Sequence, residues 1–203
     1  MIWKEALKNR KFKKDFSVTI VLLILVLIAL TNFLRFIESR EGIVFRDPLL
    51  NLFRPVDLTW LIFGLIYISL FTALYFFLKD PVLLITAFQS YILLVIFRII
   101  AMYLLPLNPP EKIIPLTDPF VEFFGTGQLL TKDLFFSGHT AILFLLFLLA
   151  DKKFLRIFLF ASTVIVAISI LLQNVHYSID VFAAPFFAYC SFVSVKLLTR
   201  LDK

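Results

Sequence analysis

Histidine and cysteine are scarce in this chain: two of the first and one of the second in 203 residues, against 26 phenylalanines. The lone cysteine, Cys190, excludes an intrachain disulfide, and its place inside an apolar run leaves redox compartment unread. Internal repeats, heptads and low-complexity tracts are missing. So is any polar stretch long enough to make a soluble domain of useful size. What the chain has instead is apolar bulk, 61% of its residues, with a mean hydropathy of +0.98. A water-soluble domain has too little interior to hide so much, and a bilayer is the natural solvent.

A spanning helix needs about 20 apolar residues. Six runs qualify, at roughly 17–36, 57–78, 82–105, 134–150, 154–173 and 177–197. The expected fold is all-α: a polytopic membrane domain of six transmembrane helices over 17–197, a basic segment at 1–16 and a short tail at 198–203. The first run has no small-x-small cleavage site before Arg35, so it reads as a retained helix and not as a signal peptide.

The net charge of +6 is unevenly spread. Six basic residues between Lys4 and Lys14, with Lys79, Lys152, Lys153, Arg156, Lys196, Arg200 and Lys203, put 13 on one side of the membrane. The other side holds six: Arg35, Arg40, Arg46, Arg54, Lys112 and Lys132. By the positive-inside rule both termini face the cytoplasm. The basic N-terminal segment is then a topology signal beside anionic lipid, ahead of a partner-binding role, and nucleic acid is not an expected ligand.

The connections are unequal. Lys79-Asp80-Pro81 and Asp151-Lys152-Lys153 make tight cytoplasmic turns, whereas 37–56 and 106–133 are long and face outward. The second long connection carries Pro106, Pro109, Pro110, Pro115 and Pro119, then Gly125-Thr126-Gly127. Connections of that length often serve as lids or binding loops, although a solvated linker remains the plain alternative.

Ionisable groups inside a membrane cost about 2.5–3.5 kcal/mol each on insertion scales, so every one needs a reason. Four stand out: Arg98 in the third run, His139 near the start of the fourth, and His176 with Asp180 at the start of the sixth. Topology brings all four to the outer half of the bilayer, with Arg98 roughly 10 Å below the outer end of its helix. His176 and Asp180 stand four residues apart, stacked on one helix face. A carboxylate there can hold the Nδ1 hydrogen, leave Nε2 as a nucleophile and stabilise charge developing on the ring. His139 supplies a second imidazole that can protonate a leaving oxygen. Arg98 and the amides at Ser137-Gly138-His139 could hold a phosphate.

Each element also has a bland reading. His139 could cap a helix or hydrogen-bond a loop, Arg98 could snorkel to headgroups, and His176 with Asp180 could be a structural pair. Two imidazoles and a carboxylate could also ligate a metal. That set has one pair four apart on a helix and no further carboxylate deep enough to help, so neither a metal nor another cofactor is expected.

Two segments, SGHT at 137–140 and HYSID at 176–180, resemble the last two signature motifs of the type 2 phosphatidic acid phosphatase superfamily. Within it, KDLFFSGHT, HYSIDVFAAPFFAY and RIIAMYLLPLNPP at 98–110 are similar to the sphingomyelin synthase branch. The resemblance spans roughly residues 47–195 and implies six spans with cytoplasmic termini. It implies that His176 attacks the lipid phosphorus to form a phosphohistidine, that Asp180 orients it, and that His139 protonates the departing alcohol and then deprotonates the acceptor. Arg98 would occupy the branch's arginine position.

Three departures are visible. Ile170 stands where the phosphatase branches carry an arginine six residues before the histidine. A Lys-x6-Arg-Pro motif is missing, since Arg54-Pro55 has Asp47 where the lysine belongs. The motif before the second span is poorly matched by DPLLNLF.

The leading expectation is an integral membrane lipid phosphotransferase acting at the extracytoplasmic leaflet. It would move a phospho-alcohol headgroup from a phospholipid donor to a lipid alcohol such as ceramide or diacylglycerol. With water as acceptor the same machine is a lipid phosphate phosphatase or a phospholipase C-type hydrolase. A lipid transporter would need a polar pathway continuing through the cytoplasmic half of the spans, where the fourth and sixth carry no histidine or carboxylate. A non-catalytic scaffold would not explain an intact His139, His176 and Asp180.

Overall fold

The computed structural model describes residues 3–118 and 130–201. Pro119 and Gly125-Thr126-Gly127 of the second long connection lie outside the described residues, as does Lys203.

Helix boundaries follow from caps. After the short helix α1 (Trp3–Ala6), the Asn9 side chain accepts from the amides of Lys11 and Phe12 at 2.9 and 3.2 Å and starts α2 (Arg10–Glu38). The helix therefore begins seven residues before the expected membrane boundary and carries Arg10, Lys11, Lys13 and Lys14 on its first turns. Next comes α3 (Thr59–Phe77). Asp80 then caps α4 (Pro81–Leu104), with Pro81 at the position where a missing amide hydrogen costs nothing. The remaining helices are α5 (Gly138–Leu149), α6 (Lys153–Leu172) and α7 (Ser178–Leu201).

Five of these helices are long and apolar enough to cross a membrane: α2, α3, α4, α6 and α7. The fourth apolar run differs from expectation. A helix over 134–150 was expected, but α5 has 12 residues, about 18 Å of rise against a hydrocarbon core of about 30 Å. The physical reason lies just upstream. Leu134 and Phe136 are buried and apolar, yet the backbone around them is held non-helical by contacts to α2 and α4, and Ser137 fixes the cap one residue before Gly138.

Short α5 occupies the middle of the bundle, packed against α6 and α7 and touching α3 and α4. Its buried residues (Thr140, Ala141, Leu143, Leu145, Leu146 and Leu149) point in every direction, as a helix with neighbours all round requires. On α7, Ala184 and Ala188 are fully buried one turn apart, small enough to bring neighbouring backbones close. Peripheral α2 packs chiefly on α4 and leaves Val18, Val21, Leu22, Ile24, Leu25 and Ile28 exposed, the apolar face expected toward lipid.

At the histidine end the long connections are stitched together. Ile43 and Leu107 form a parallel bridge, with Ile43 N–H donating to the Pro106 carbonyl and Asn108 N–H to the Ile43 carbonyl, both at 3.0 Å. Gly42 is required there, since a Cβ would sit 2.6 Å from the Leu107 carbonyl carbon. Gln173, fully buried after α6, accepts from Leu58 N–H at 2.9 Å and donates to Thr59 Oγ1 at 2.9 Å and the Ile114 carbonyl at 3.3 Å. Residues 106–118 are thus fastened to the bundle, so this part of the second connection is not a free linker.

Candidate active site

The α7 start is fixed by four contacts. His176 Nδ1 lies 3.2 Å from Asp180 Oδ2, and the same oxygen accepts from Tyr177 N–H at 3.2 Å. The Asp180 carbonyl accepts from Ser137 N–H at 3.1 Å, which ties the two helix starts together. Asp47, 4% exposed, accepts from Ser178 N–H at 2.6 Å, one of the amide hydrogens a helix start leaves free. His176 and Asp180 are 1% and 0% exposed. A carboxylate on Nδ1 selects the tautomer in which Nε2 keeps its lone pair.

The α5 start is built differently. Ser137 Oγ caps the helix, accepting from Thr140 N–H at 3.4 Å with Thr140 Oγ1 at 3.2 Å. His139 is half-buried, its ring centroid 6.3 Å from that of His176 and 5.9 Å from that of Phe63. Its Nδ1 is buried with no hydrogen-bond partner among the described residues. The bland reading of His139 as a helix cap therefore gives way, because Ser137 fills that role.

Arg98 does not snorkel. Its side chain is buried, donates to the Phe136 carbonyl, and pairs with Asp133 Oδ1 at 2.5 Å. Burial alone would lift the Asp133 carboxyl, but the Arg98 guanidinium and the nearby imidazoles outweigh it and hold the group below the usual carboxylate range. Gly138 completes the arrangement. A Cβ there would lie 2.6 Å from Arg98 Nη1 and 2.7 Å from Cζ, so the Ser-Gly-His glycine makes room for the arginine.

All six expected site residues therefore gather at one end of the bundle: His139, His176 and Asp180, with Arg98, Ser137 and Gly138 beside them. Asp133 was not among the expected site residues; paired with Arg98, it is a fifth ionisable group at the site. A buried arginine demands a counter-ion, and that demand was the available signal. Among the described residues, no group of three or more His, Cys, Asp or Glu side chains could hold a metal.

Such an arrangement offers an oriented imidazole, a second imidazole within reach of the same ligand, and a guanidinium next to a helix N-terminus. Comparison with curated proteins finds no match to the chain. Residues 132–197, 66 of the 203, match the family model described as PAP2 superfamily C-terminal, a stretch holding Asp133, Ser137, Gly138, His139, His176 and Asp180 but not Arg98.

Proposed function

We propose that the protein is a membrane lipid phosphotransferase of the type 2 phosphatidic acid phosphatase superfamily, similar to its sphingomyelin synthase branch. The observation that carries this reading is the buried His176–Asp180 pair with the His139 ring 6.3 Å away.

His176 Nε2 attacks the phosphorus of a phospholipid. A nitrogen–phosphorus bond forms as the bond from phosphorus to the diacylglycerol oxygen breaks, and His139 gives that oxygen its proton. Asp180 stabilises the positive charge appearing on the His176 ring. Neutral His139 then takes the proton of a lipid alcohol, whose oxygen attacks phosphorus and releases His176. Arg98 and the amides at the start of α5 hold the phosphate oxygens as charge builds on them. No metal or cofactor enters the scheme.

Transfer is preferred to hydrolysis on the likeness to the sphingomyelin synthase branch and on the absence of the basic phosphate ligands of the phosphatase branches, where Ile170 and Asp47 stand instead. In the membrane, both termini lie on the cytoplasmic side and α5 serves as the fourth of six crossings. Its short length leaves the site below the extracytoplasmic surface, reached from that leaflet. The long connections reach the residue next to His176, since the Tyr177 hydroxyl donates to the Asn108 carbonyl and accepts from Phe45 N–H.

The test incubates purified protein with a headgroup-labelled phospholipid, with and without ceramide or diacylglycerol carrying a distinguishable chain. Label should move to the added lipid alcohol, with little released to water. His176→Ala should abolish both products. Release without transfer would make the protein a hydrolase, and unaltered activity in His176→Ala would remove the mechanism altogether.

A further inference from the structure

The guanidinium assigned to the substrate phosphate is already engaged. Arg98 is 6% exposed, and two acceptors share it: Asp133 Oδ1 at 2.5 Å on Nη2 and the Phe136 carbonyl on Nη1. Gly138 closes another side, leaving no room even for a methyl group. The guanidinium has five N–H groups, of which these acceptors take two. A phosphate on the others would stand beside the Asp133 carboxylate, and two anions sharing one buried cation repel each other, so the more mobile acceptor gives way. The Phe136 carbonyl belongs to the backbone one residue before the Ser137 cap and is fixed by it. The Asp133 carboxylate sits on a side chain with rotatable bonds, and it competes with phosphate in charge and in the planar geometry that guanidinium favours.

We propose that Asp133 is a displaceable counter-ion: substrate phosphate exchanges with it on Arg98, so that the empty site holds its cation neutralised. The exchange moves no covalent bond. An ion pair keeps a buried arginine tolerable between turnovers, and the lipid's tails supply the binding that lets its phosphate replace the carboxylate. Free phosphate lacks those tails and competes poorly.

The segment bearing Asp133 has its own anchor. Glu38, at the end of α2, accepts from the amides of Thr131 and Lys132, both at 3.0 Å, and from Thr131 Oγ1 at 2.7 Å. Residues 131–136 are therefore strung between Glu38 and Arg98. That anchor holds Asp133 in place, and weakening it should favour exchange in the same direction as removing the carboxylate charge. Asp133 and Glu38 are positioning residues, since neither needs to touch the reacting atoms.

This inference rests on Arg98 as the phosphate ligand, and its test separates that from turnover. Inorganic phosphate binding to the full-length protein in nanodiscs is measured by calorimetry, beside KM and kcat for the lipid donor. Asp133→Asn keeps an acceptor oxygen but removes the charge. It should bind phosphate about tenfold or more tightly and lower KM, without raising kcat. Phosphate binding unchanged or weakened in Asp133→Asn would overturn the proposal, because a merely structural partner lowers affinity and activity together. Glu38→Gln should tighten phosphate binding about threefold. Should Asp133→Asn fail to fold, Glu38→Gln decides, and no gain there also overturns the proposal. Tighter phosphate binding in a protein that turns over no lipid would leave the counter-ion exchange standing and sink the proposed function instead.

Discussion

The start of α5 and the start of α7 each carry one of the two histidines, yet they are built to opposite specifications. His176 is almost fully buried, with its Nδ1 on Asp180 and with Asp47, Tyr177 and the Ser137 amide bracing the turn around it. His139 is half-buried, its Nδ1 has no partner among the described residues, and an aromatic ring lies beside it. A nucleophile must meet phosphorus along one line, so fixing it lowers the entropic part of the barrier. A proton carrier must serve first a leaving oxygen and then an entering one, which a looser ring does better. The difference supports assigning attack to His176 and proton transfer to His139.

Substitutions can break that comparison. The largest effect is expected from His176→Ala, which removes the bond-forming atom and should take kcat down roughly 10⁴-fold or more in the headgroup-transfer assay. His139→Ala should cost about 10²–10⁴-fold. If His139 is the proton carrier, the loss should be smaller for a donor lipid bearing a better leaving group, whereas the His176→Ala loss should not change.

Asp180→Asn keeps a side chain of the same shape but reverses the tautomer preference of His176. About 10²–10⁴-fold in kcat is expected, with little change in KM. Gly138→Ala comes next. The added methyl must push the pinned Arg98 guanidinium aside, so kcat/KM should fall about 10–100-fold while the protein still folds. Ser137→Ala is the smallest. It loses a cap worth about 1 kcal/mol, readable as a modest drop in melting temperature with activity reduced only a few-fold.

The fold was largely legible because hydropathy is a strong signal: all but the fourth run became helices of spanning length. The fourth failed for a local reason. Leu134, Phe135 and Phe136 look helical by composition, but the cap at Ser137 and the contacts of Phe136 and Asp133 to Arg98 decide where α5 begins. His176 and Asp180 could be paired from sequence because four residues on a helix is a fixed geometry. Asp133 could not be paired with Arg98, 35 positions away in an irregular segment, because no periodicity links a loop residue to a helix face. Asp47 likewise looked like a misplaced residue within a failed motif. Its function, capping α7 from 131 positions away, is a tertiary fact.

The central claim is that a headgroup phosphate resides covalently on His176. The most direct measurement quenches the purified enzyme in alkali during turnover of a headgroup-labelled phospholipid without acceptor, then maps the label by mass spectrometry. Acid-labile, alkali-stable label is predicted on the peptide holding His176, absent in His176→Ala and retained longer in His139→Gln, where resolution lacks its base. Label on any other residue, or full turnover with His176 replaced, would contradict the account.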